Sequence, residues 1–161
     1  MCEENHQDLG RYADDLAFAF PNILGLARGL SDTDPVPDII AFHPIVLGFF
    51  NGFGRTMLRV ASLKLQLEPE SQALVHYRAI ANVMNRFSEM DRFEAVIENL
   101  LHQPSEEFSR YQELGIQFLR TASTSGNQAI TEQILKLVQS EVMRLLDEHG
   151  LNPIRSEEAH V

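Results

Sequence analysis

The chain has 161 residues, 44 % of them hydrophobic and 22 % charged, with 13 basic against 23 acidic side chains and a formal charge of −10. That size and balance suit one globular domain with its own core and exclude a disordered or collagen-like chain. The negative field repels phosphate backbones and anionic headgroups, so neither nucleic acid nor a membrane surface is expected as a partner.

Cys2 is the one cysteine and has no partner for an intramolecular disulfide, which fits a reducing compartment. The first twelve residues lack the basic start and apolar stretch of an export signal, and a cytoplasmic location is expected.

Asn5 opens the first predicted helix as N-cap, with Leu9, Tyr12, Ala13, Leu16, Ala17 and Phe20 on one stripe. Pro21 interrupts that stripe, which resumes at Ile23, Leu24, Ala27 and Leu30 and stops at Gly29, giving one kinked helix or two short ones. Residues 31–37, Ser-Asp-Thr-Asp-Pro-Val-Pro, form a turn-rich connection. Asp32, Asp34 and Asp38 have the look of a calcium loop, but Val36 takes a ligand position and Pro37 the place of the required glycine.

From Ile39 to Gly54 no residue is charged, and Phe42, Phe49, Phe50 and Phe53 lie among isoleucine, valine and leucine. This run is too short and too interrupted for a membrane span, which needs about 20 apolar residues. It reads as a buried central helix starting near Pro44 and running through Arg55 towards Leu67. Gly48 and Gly52, four apart, share a helix face, where missing side chains let another helix approach. Ser62 to Leu67 alternates with period two, but no second strand-like segment exists to pair with it.

Pro69 suits the first turn of a third helix, with Ala73, Leu74, Tyr77, Ile80, Ala81, Met84 and Phe87 on one face. A fourth begins at Ser88, carries Met90, Phe93, Val96, Ile97, Leu100 and Leu101, and ends near His102, ahead of Pro104. Phe108, Tyr111, Gly115, Phe118, Leu119 and Ala122 mark a fifth. The sixth opens on a capping box at Ser125 and aligns Ile130, Ile134, Val138, Val142 and Leu145 before Gly150 and Pro153 stop it.

The expected architecture is therefore all-α: a single domain over residues 1–161 of about six amphipathic helices around a central apolar one, orthogonal or globin-like, with residues 5–150 as core and 151–161 as a frayed tail. Leftover apolar stripes make a homodimer plausible.

No motif specifies a reaction. Glu94, Glu98 and His102 lie four apart along one helical strip, too few for a four-ligand metal site, and a solvated face explains them. A haem would need an axial ligand such as His76 or His102 over an apolar cavity, and no cofactor is otherwise expected. The residues singled out for binding are Phe42, His43, Phe49, Phe50, Asn51, Phe53, Arg55 and Met57, an apolar set with a few polar groups to orient a ligand. The leading expectation is a non-catalytic regulatory or adaptor domain that binds a protein or apolar small ligand through a pocket or groove bordered by residues 42–57. A globin-like haem or tetrapyrrole sensor and an enzyme without a recognisable motif are the alternatives.

Overall fold

A computed structural model describes residues 35–65, 69–122 and 126–150. The predicted first helix, Cys2 and the tail from Leu151 lie outside the described residues. Those described form α1 (Asp38–Ala41), α2 (Pro44–Leu65), α3 (Pro69–Val83), a 3-10 turn (Phe87–Glu89), α4 (Met90–His102), α5 (Glu106–Ala122) and α6 (Gln128–Glu148), with no strand among them.

The uncharged run becomes the centre of an all-α domain. Ile45, Val46, Leu47, Phe49, Phe50 and Phe53 are buried, and Tyr77, Ile80, Phe93, Ile97, Phe108, Val138 and Val142 close over them from α3 to α6. Removing each of the larger side chains from water stabilises the fold by about 2–3 kcal/mol relative to exposure. The described part of the period-two stretch, Ser62 to Leu65, is helical, as an isolated strand without a partner could not be.

The most extensive helix contact joins α2 to α5. A Cβ built on Gly48 would lie 2.6 Å from the Phe108 carbonyl oxygen, and one on Gly52 still closer to the Gln112 carbonyl. From the other side, a Cβ on Gly115 would meet the Phe49 carbonyl and the Phe53 amide nitrogen. Three glycines thus bring two backbones into direct contact, so the spacing seen in the sequence serves packing. Phe118 flanks the joint, its ring 5.7 Å from Phe49 and 5.8 Å from Phe53.

Three boundaries differ from the sequence expectation. The stripe on α3 stops at Met84: Asn85 adopts a left-handed φ of 55°, its N–H bonds the Asn82 carbonyl, and the Arg86 N–H bonds the Ala81 carbonyl at 2.8 Å. That is a Schellman ending with asparagine in the place glycine usually takes. Phe87 falls beyond it and is 68 % exposed, and the fourth helix begins at Met90 after the short 3-10 turn. On α6 the N-cap is Asn127, without a side-chain cap bond, and Ser125 of the expected capping box lies outside the described residues. The side-chain cap instead belongs to α5, where Ser105 Oγ accepts the Phe108 N–H at 3.1 Å and Glu106 and Glu107 occupy the first turn.

Candidate functional site

The start of α2 is set by a proline and a histidine. Pro44 supplies the φ a first helical turn needs and no N–H. His43 precedes it as N-cap, its carbonyl accepting the Leu47 N–H at 2.9 Å and its Nδ1 accepting the Ile45 N–H at 3.2 Å. Burial is the main reason the His43 imidazole is held below the ordinary histidine range; Glu107 and Glu141 oppose the shift, while Arg144 and His149 reinforce it.

Just before this cap, α1 makes the corner. Val36 clasps the end of α3, donating to the Met84 carbonyl at 3.0 Å and accepting from Arg86 Nε at 2.8 Å. Arg86 and Arg92 each bridge Asp38 on α1 and Glu89 in the 3-10 turn. Phe42 sits among them, stacked on Phe93 at 4.5 Å, with the Arg92 guanidinium 3.9 Å from its ring centroid. Asp38, Ile39, Phe42, His43 and Pro44 then line a shallow depression of about 470 Å³, mostly apolar and broadly open to solvent.

Further along α2 a second polar group is set into the core. Arg55 Nη2 donates to the Tyr77 hydroxyl at 2.8 Å, and that hydroxyl donates to Glu98 Oε1, so one oxygen ties α2, α3 and α4 together. Burial first and the Glu98 hydrogen bond second push Tyr77 up to about 12, so it stays a neutral phenol at physiological pH. His76 beside it is fully buried, and desolvation with the Arg55 charge lowers its pKa to about 3, which keeps the ring neutral. Asn51 is buried as well; its Oδ1 and Arg55 Nε have no hydrogen-bond partner among the described residues. The arrangement acts as a clamp between helices. Tyr77→Phe should cost about 1.5–2 kcal/mol, the lower part of the range for bonds to charged groups because water reaches both Arg55 and Glu98. A urea-denaturation midpoint checks this, and an unshifted midpoint would show the clamp contributes nothing.

The eight residues singled out in the sequence are divided by the fold. Phe49, Phe50, Asn51 and Phe53 are at most 6 % exposed and belong to the core. Met57 is partly buried against that core, and Arg55 belongs to the clamp. Of the eight, only Phe42 and His43 border the depression, with Pro44 from the same segment and with Asp38 and Ile39, which lie ahead of the segment that the sequence singles out for binding. Their signal was the Pro37-Asp-Ile-Ile pattern, a proline opening a helical turn shortly before Pro44 opens another.

Glu98 is engaged by Tyr77, and among the described residues no three histidine, cysteine, aspartate or glutamate side chains converge on a point. Of the two histidines considered for haem, His76 is enclosed in the core and His102 is exposed. No described helix is long and apolar enough to cross a membrane. Compared with known proteins, the chain matches no family model, no curated protein and no solved structure.

Proposed function

We propose that the chain is a non-catalytic binding domain of the cytoplasm that receives an apolar side chain of a partner protein at the corner between α1 and α2. The observation that carries this reading is the depression lined by Ile39, Phe42, His43 and Pro44 with Asp38 at its rim. A site for a small molecule normally encloses most of its ligand, and this one is too shallow and open to do so. A protein partner needs only a place to seat one anchoring residue, with the rest of its surface covering the rim. The chain's charge of −10 favours a partner that presents basic residues around that anchor.

The test is site-specific photocrosslinking in the protein's own cells, with benzoylphenylalanine replacing Ile39 in the depression or Glu132 on the exposed face of α6. A heterologous adduct of one mass at position 39, absent at 132, is the expected result. Adducts between two copies of the chain would make the occupant a second subunit instead, and equal labelling at both positions would remove the reading.

A further inference from the structure

We propose that His43 is an acid-sensitive cap: while neutral it holds the start of α2, and on protonation it lets that turn go. An Nδ1 that accepts the Ile45 N–H must carry a lone pair, so the ring proton of the capped state resides on Nε2. Ile45 is the first residue of α2 with an amide to satisfy, because Pro44 has none. Protonation puts a second N–H where the acceptor was, facing the Ile45 N–H. It also places a positive charge at a helix end that is itself positive. The cap bond cannot survive that change, and the ring must turn away.

The groups facing the ring come from three places. Glu107 lies in the first turn of α5, Glu141 and Arg144 near the end of α6, and His149 just past it. The two carboxylates attract an imidazolium, while Arg144 and His149 repel it. Arg144 is itself held by Glu141 and Glu148, which softens that repulsion. On the remaining side of the depression, Asp38 is occupied by Arg86 and Arg92 and does not compete for the ring. A released imidazolium therefore has Glu107 to turn towards, since Glu141 is already held by Arg144. The rim of the depression would change with it. That last consequence rests on the docking role proposed above, whereas the cap is a property of the free chain.

The experiment follows the free, isotope-labelled full chain by NMR from pH 8 to pH 4.5. Ring nitrogen shifts of His43 report tautomer and protonation, and the Ile45 amide reports the cap through its shift and its hydrogen-exchange protection, corrected for intrinsic rate. The Nε2–H tautomer is expected at pH 8. As His43 protonates, Ile45 should lose about five- to tenfold of its protection, the effect of removing a side-chain cap. His43→Asn, which caps without titrating, should keep Ile45 protected across the range. An Nδ1–H tautomer at pH 8, an Ile45 amide indifferent to His43 protonation, or the same loss in His43→Asn would each overturn the proposal. A titrating cap with no crosslink at position 39 would reject the docking role alone.

Discussion

Replacing Gly52 with alanine should destabilise the protein by about 3 kcal/mol, although intrinsic helix propensity alone predicts a gain of about 1 kcal/mol for the same change. The sign is the test. Gly52 lies inside α2, where alanine is normally the better residue, but its missing side chain is what lets the Gln112 carbonyl of α5 approach. The obstructing atom is backbone in a regular helix, so it cannot rotate aside as a side-chain tip would, and α5 must move as a body. Ser140→Ala, at an exposed position within α6, serves as the control and should stabilise by a few tenths of a kcal/mol. Thermal or chemical denaturation of both variants decides the matter; a stabilised Gly52→Ala protein would mean the two helices do not meet backbone to backbone. Combining Gly52→Ala with Gly115→Ala should cost less than the sum, because one displacement of α5 relieves both clashes.

Acid should unfold the wild type in part through His76. In the unfolded chain this imidazole takes up a proton near pH 6.5, whereas in the folded chain it remains neutral down to about pH 3. The unfolded state then binds the extra proton, so stability falls as pH drops through that window and is fully present above it. The slope attributable to His76 is at most about 1.4 kcal/mol per pH unit. Asp38 and Glu89, held below the usual carboxylate range chiefly by hydrogen bonds to Arg92 and Arg86 respectively, add their own loss at the acid end. Comparing unfolding free energies of wild type and His76→Gln from pH 7 to pH 4 isolates the histidine, since the carboxylates are common to both. The variant is expected to start less stable and to follow a flatter curve. Parallel curves would show that His76 is not kept neutral by the fold.

Periodicity carried most of the helical layout. The stripes on α4, α5 and α6 and the uncharged run in α2 depend on local sequence, and the buried residues follow them closely. What local pattern could not supply was the direction each face takes in three dimensions. Phe49, Phe50 and Phe53 look the same in sequence whether they line a cavity or fill a core, and the distinction depends on α5, which lies far away along the chain. The end of α3 was hidden by asparagine in a left-handed turn, a choice open to several residue types and so a weak textual signal. The corner that makes the depression depends on pairing Val36 with Met84 and Arg86, a contact with no local signature. His43 stood out as a polar residue in an apolar run, but its capping role needed the position of the Ile45 amide.

The glycine seam also sets an order of events during folding. It unites segments about sixty positions apart, and closing a flexible loop of that length costs roughly 4 kcal/mol in chain entropy before any contact offsets it. The hairpin of α2 with α3, and α3 with α4, need only short-range encounters. Nascent protein should therefore gather α2 to α4 first and admit α5 and α6 last, which leaves the Gly48 and Gly52 face of α2 without α5 until the C-terminal third arrives. A ribosome-released fragment ending before Ser105 would consequently be the form of this chain most prone to aggregate.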